Sequence, residues 1–258
     1  MSQVDGPYPH APVVEAGLTL AFEDGKVFDV HELERRFDEQ FPDWKTQGIY
    51  KVSDTFVPMS VPPEGALGDR STLVGFQRSN DRERVRFIED EIRYVRVYDK
   101  GSDDQNYRDW DAFIGQAMGH LVPLVADVAG ETVTYAQARF VNELPIPQDR
   151  DYEIRDWVRL AVDVPGRLPQ DINRMFTQVD IPFNREDTGI VNTRNTVFAG
   201  VREGEAILVL DIEVSKEFAH RNVNGLEDIL GVLRSVKNEL FEGAITDACR
   251  IRMGGELK

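Results

Sequence analysis

Apolar and polar residues alternate from Val13 to Phe22, with Val14, Ala16, Leu18, Leu20 and Phe22 on one side. Period-two alternation predicts a strand with one buried face. The period then changes. Val30, Leu33, Phe37 and Phe41 fall at steps of three and four, which predicts a helix that Asp29 caps and Pro42 ends. Residues 42–71 carry prolines at 42, 58, 62 and 63 and glycines at 48, 65 and 68, and read as a long loop with one short extended piece. Thr72–Ser79, Arg82–Ile88 and Ile92–Tyr98 follow as strands separated by turn residues, Ser79-Asn80-Asp81 and then Glu89-Asp90, which predicts an antiparallel meander. A second helix runs from Tyr107 to about Val128, with Pro123 expected to kink it or begin a new turn and Gly130 to end it.

The second half has the same order. Thr132–Leu144 reads as a strand and Tyr152–Leu160 as a short helical stretch. Ile172–Ile181, Gly189–Val201 and Ala206–Val214 form a second meander, with Gly204 in its last turn. Leu226 to Arg250 is a closing amphipathic helix. The expected fold class is therefore α+β: two pattern repeats of strand, helix, three-strand meander and long helix, spanning 1–130 and 131–258. They would fuse into one compact domain with antiparallel sheet covered by helices on one face. The other face would be open for binding.

Composition narrows the function classes. Hydrophobic residues are 41% of the 258 and charged residues 29%, enough apolar material for a large core. No apolar run approaches the roughly 20 residues that cross a bilayer, and the N-terminus lacks the pattern of a secretory signal. A lone cysteine, Cys249, cannot form an intramolecular disulfide, which fits the cytoplasm. The net charge of −16 is spread along the chain, with 24 acids against 14 bases in residues 1–130 and 22 against 16 in 131–258. A field of that sign repels nucleic acid and anionic membrane; it serves solubility or, in the sharper reading, forms an acidic face that docks on a basic protein.

Catalytic patterns are missing. His10, His31, His120 and His220 lie too far apart in sequence for local metal-ligand pairs, so no metal or cofactor is expected. No phosphate-binding loop, dinucleotide fingerprint or nucleophile elbow occurs. The Gly115-xxx-Gly119 spacing is expected to mark close helix packing on the sheet. The carboxylates Asp103, Asp104 and Asp109 suit a helix N-terminus.

One basic feature stands out. Arg82, Arg84 and Arg86 alternate on one strand, with Arg78, Arg93 and Arg96 on its neighbours. Such a ladder suits an anion, a phosphate ester or an acidic partner; with six arginines and five acids between residues 78 and 96 it equally reads as a nearly neutral, solvated strand face paired with Glu83, Glu89 and Asp90. Arg194, between Asn192 and Thr196 on a later strand, and Asn142, polar within an apolar strand, complete the candidate ligand-binding residues. Asn142 is expected to tie down the turn at Pro145 and Pro147.

The opening Pro12-Val13-Val14-Glu15 and the central run Ala138 to Ile146 are two stretches with a wider likeness. The others are Asp156 to Leu160 and the closing Lys237-Asn238-Glu239-Leu240-Phe241 with Ile245-Thr246-Asp247. Together they resemble a family of sporadically distributed bacterial and archaeal proteins of about this length. The resemblance covers nearly the whole chain and brings with it no activity and no catalytic residues. A patchy distribution of that kind implies horizontally moved genes and a role in defence, with a protein partner encoded nearby. Glu143 departs from the family, which commonly has a histidine or similar polar residue there.

Overall fold

A computed structural model describes residues 8–9, 11–22, 30–52, 55–59, 71–99, 107–129, 132–148, 152–167, 174–185 and 189–255. His10, Asp29, Asp103, Asp104, Gly130 and the prolines and glycines of 60–70 lie outside them, as does the side chain of His31. The described chain is mostly antiparallel sheet with four helices. None of its helices is long and apolar enough to cross a membrane.

In chain order the elements are β1 (Val13–Ala21), α1 (Val30–Gln40), β2 (Lys45–Val52), β3 (Thr55–Met59), β4 (Ser71–Ser79), β5 (Glu83–Ile88), β6 (Glu91–Val97) and α2 (Trp110–Ala129). β7 (Thr132–Glu143), β8 (Met175–Arg185), β9 (Gly189–Arg202), β10 (Glu205–Asn222), α3 (Glu227–Ala244) and α4 (Asp247–Arg252) follow. Ten strands form one sheet in the order β3-β2-β4-β5-β6-β1-β7-β10-β9-β8. At its centre β1 and β7 pair antiparallel. Leu18 lies opposite Ala138, Ala16 opposite Phe140 and Leu20 opposite Ala136, large against small. All six are fully or almost fully buried.

The same face continues sideways through Tyr94, Phe87 and Phe76. α2 lies against it: Trp110 stacks on Phe140 at 5.7 Å, and Phe113 meets Phe140 at 5.5 Å and Tyr94 at 6.1 Å. α1 brings Phe37 to Phe76 on this face, with ring centroids 6.4 Å apart. Lys237 of α3 sits 4.5 Å from the Phe140 ring centroid, where burial pushes its ammonium pKa down to about 8.

Several elements differ from the sequence reading. The 42–71 segment holds two strands, β2 and β3, with β3 at the sheet's edge. Pro58 fits there because an edge strand need not donate on its free side. Tyr152–Leu160 is helical only in a single 3₁₀ turn, Ile154–Asp156. β10 runs through Asn222, past the expected end at Val214, pairing with β7 beyond a register shift between Glu217 and Arg221. The closing helix breaks at Ile245, whose ψ of 156° is extended. Thr246 caps α4 by accepting from the Cys249 amide, and Val158 bridges to Ile245, which stitches the 154–158 turn to this junction. The Gly115 and Gly119 spacing does not mark close packing: a Cβ at either would meet nothing within 4 Å.

Gly75 is the opposite case. A Cβ there would lie 2.0 Å from the Phe87 carbonyl oxygen on β5. Gly75→Ala is expected to lower stability by about 3 kcal/mol, because backbone must move in the ladder. Gly115→Ala, on the exposed side of α2, is expected to raise it by about 1 kcal/mol. Urea denaturation of both variants checks the pair.

Candidate functional site

The hairpin between β5 and β6 turns through Glu89 and Asp90, with Glu89 at φ 52°. That two-residue turn sets the register, so Ile88 faces Glu91, Phe87 faces Ile92 and Arg86 faces Arg93. Two guanidinium groups thus stand directly opposite one another, on the sheet face turned away from Tyr94 and Phe140. Like charges in that position destabilise a sheet.

They belong to a polar row that crosses eight strands. Gln47, Gln77, Arg86 and Arg93 are successive cross-strand partners. Thr19, Gln137, Ser215 and Asn192 carry the row onward. Most of it is bonded internally. Gln77 Nε2 donates to Gln47 Oε1 at 3.1 Å, Arg93 Nε to Thr19 Oγ1 at 2.7 Å and Arg93 Nη2 to Gln137 Oε1 at 3.2 Å. Gln137 Nε2 then reaches Glu213 Oε2 at 3.3 Å. Arg86 is the gap: its guanidinium has no hydrogen bond or ion pair among the described residues. Burial, then the adjacent Arg93, holds its pKa below the ordinary arginine value, partly offset by Glu91.

The next row shows how the charges divide. Arg84 faces Ser79 and Val95, and Ser79 faces Lys45. Neither Lys45 nor Arg84 has an ion pair among the described residues. Further along, Arg139 is held by Asp211 at 2.6 Å, with Glu15 and Glu213 each at 3.5 Å. Arg194 is held by Asp180 at 3.0 Å and Glu213 at 3.7 Å. So Arg139 of β7 and Arg194 of β9 are neutralised, while Lys45, Arg84, Arg86 and Arg93 have no ion pair among the described residues, in a chain of net charge −16.

The structure separates the other residues of the sequence-based candidate set. Arg82 precedes β5 and pairs with Asp99 at 3.5 Å. Arg194 shares the face of Arg84 and Arg86 but lies four strands from β6. Arg96 is in phase with Tyr94 and so lies on the α2 side, where it donates to Gln116. Asn142 is buried on that side too. Its Nδ2 donates to the Phe140 and Leu210 carbonyls at 3.1 and 3.0 Å, so it ties β7 to β10 instead of fixing the turn at Pro145. Arg78 is 7% exposed, donates to the Trp44 carbonyl at 2.8 Å and contacts Asp38. Arg93, which the sequence reading placed only on a neighbouring strand, stands directly opposite Arg86, and Gln77, which that reading did not single out, lies in the same row. Counting back from Glu89-Asp90 would have placed Arg93 opposite Arg86.

Comparison with family models and with curated proteins gives no match. The described residues hold no group of three or more side chains arranged for a metal. Cys249 is buried, which pushes its thiol up to about 12, away from nucleophilic use.

Beneath α2, Glu83 gathers a second polar cluster. It accepts from the Tyr94 hydroxyl at 2.6 Å and from Gln116, and His120 Nε2 lies 3.7 Å away, its ring stacked on Tyr94. His120 and the Tyr94 hydroxyl hold the carboxyl down at about 2, against the cost of burial. A depressed carboxylate stabilises the fold above its unfolded pKa of about 4.5 and loses that contribution as pH falls toward 2. Wild type is expected to exceed Glu83→Gln by roughly 3 kcal/mol at pH 6, with the difference shrinking through pH 4 to 3. Urea midpoints across pH check this; a difference constant over that range contradicts it.

Proposed function

We propose that this chain is a non-enzymatic binding protein that senses a small anion, of the phosphate-ester or nucleotide class, on the sheet face carrying Arg84, Arg86 and Arg93. The observation that supports this most is Arg86. It is a half-buried guanidinium set opposite a second one, without a partner among the described residues, inside a row most of whose members are bonded. An anion bridging Arg86 and Arg93 would relieve their repulsion and restore the lost hydrogen bonds, and arginine's fork suits phosphate oxygens. Lys45 and Arg84, one cross-strand row away, extend the positive field.

The scaffold that goes with this reading is a duplication. β1 and β7 each pair with the last strand of their own half's meander, β6 and β10, and the two units meet at the β1–β7 ladder. Helices would cover one face of the fused sheet and leave the arginine face for the ligand.

A second reading is docking on a basic protein partner, with no ligand role for the arginines. Its support is the acid excess together with exposed apolar side chains on β8 and β9, Phe176 at 64% and Val201 at 67%. On the resemblance to sporadically distributed proteins, that partner would be a neighbouring gene product.

Thermal-shift and calorimetric titration with inorganic phosphate, pyrophosphate and a nucleotide panel test the first reading. At least one is expected to raise the melting temperature, with binding weakened about tenfold or more in Arg86→Ala and Arg93→Ala but not in Arg194→Ala. Without ligand at low salt, Arg86→Gln is expected to be more stable than wild type by about 0.5 kcal/mol. No shift across the panel, with a stable one-to-one complex after co-expression with neighbouring genes, favours the docking reading.

A further inference from the structure

The opposite side of the sheet carries a different feature. A cavity of about 250 Å³ opens between the end of β6 and the start of α2, lined by Arg96, Tyr98, Arg108, Asp109, Phe113 and Gln116 among others. Its polar groups are of both signs. Arg96 lies over the Tyr98 ring, 5.4 Å from the centroid, and donates through Nη1 to Gln116 Oε1. Its Nε is fully buried and has no hydrogen-bond partner among the described residues, so the outer nitrogens of the guanidinium are the ones left to meet a ligand. Arg108 is exposed and has no ion pair among the described residues. Asp109 Oδ1 accepts the Ala112 amide at 2.8 Å, which caps α2 and leaves the carboxylate's other acceptor positions uncommitted to that bond. Phe113, 2% exposed, supplies an apolar wall.

We propose that this cavity binds an amino-acid zwitterion. The ligand carboxylate would sit between Arg96 and Arg108, its ammonium toward Asp109 and its side chain along Phe113. A plain anion uses only half of these groups, because Asp109 repels it. The small volume excludes larger ligands such as dinucleotides. The site is independent of the arginine row: Arg96 is on the α2 face, and Arg86 and Arg93 are on the other.

The test is calorimetric titration of the full chain with each of the common amino acids and, separately, with inorganic phosphate and acetate. At least one amino acid is expected to bind, with affinity reduced about tenfold in Arg108→Ala and in Asp109→Asn and unchanged in Arg86→Ala. Arg108 is on the surface, so its variant folds; Asp109→Asn keeps the α2 cap. Tyr98→Phe keeps the ring under Arg96 and reports whether the hydroxyl takes part. No binding by any amino acid at millimolar concentration overturns the proposal. So does phosphate or acetate binding as tightly as the best amino acid, or affinity indifferent to Arg108→Ala.

Discussion

The antiparallel ladder between β1 and β7 is the contact on which the rest of this structure depends. Each strand alone would leave one edge of its half-sheet unpaired. Together they join the halves into one ten-stranded sheet. Their apolar side chains interlock large against small, Leu18 with Ala138 and Phe140 with Ala16, on the face that α2 packs against. Side chains alternate along a strand, so a slip of one residue would turn Leu18 and Phe140 to the other face, at a cost of several kcal/mol. The register is therefore fixed by burial.

That fixed register decides where the charges go. With Leu18 and Ala138 turned toward the helices, Thr19 and Gln137 turn away from them, and Arg93, opposite Thr19, and Arg86, opposite Arg93, follow in the same row. The helix face and the arginine face are thus two readings of one alternation. Arg96 and Glu83 fall in the other phase and are drawn beneath α2 with Gln116 and His120. Two polar groupings a few residues apart in sequence end on opposite sides of the sheet, and each has its own environment. In the row on the arginine face Arg86 and Arg93 have no ion pair among the described residues, while the cluster beneath α2 is bonded within itself, save for the Arg96 Nε.

Much of this was legible beforehand where a pattern repeats over enough residues. The alternation of β1, the meander of β4, β5 and β6 with its Glu89-Asp90 turn, and the stripe of α3 all follow from period and turn chemistry. The 42–71 segment was not legible, because its prolines and glycines mask short strands that gain their stability from pairing at the sheet's edge. The break at Ile245 was hidden for a related reason. The apolar stripe continues through it, and only the 154–158 turn, arriving from far away in sequence, makes an extended residue favourable there. Arg86 was named from its alternation with Arg84, whereas Asn142 looked like a turn residue until its amide was found bonding the carbonyls of two strands.

By itself the sequence determined the α+β class, the order of most elements, the phase of each strand and the arginine-rich composition of β5 and β6, since these depend on local period and turn residues. Tertiary structure alone decided that β1 and β7 are neighbours, that the cations of β7 and β9 are neutralised while Arg86 is not, and that Arg96 and Arg108 share a cavity. Those facts depend on pairing between residues far apart in the chain. Hydrogen-bond ladders and long-range burial set that pairing, and no local window of sequence contains it.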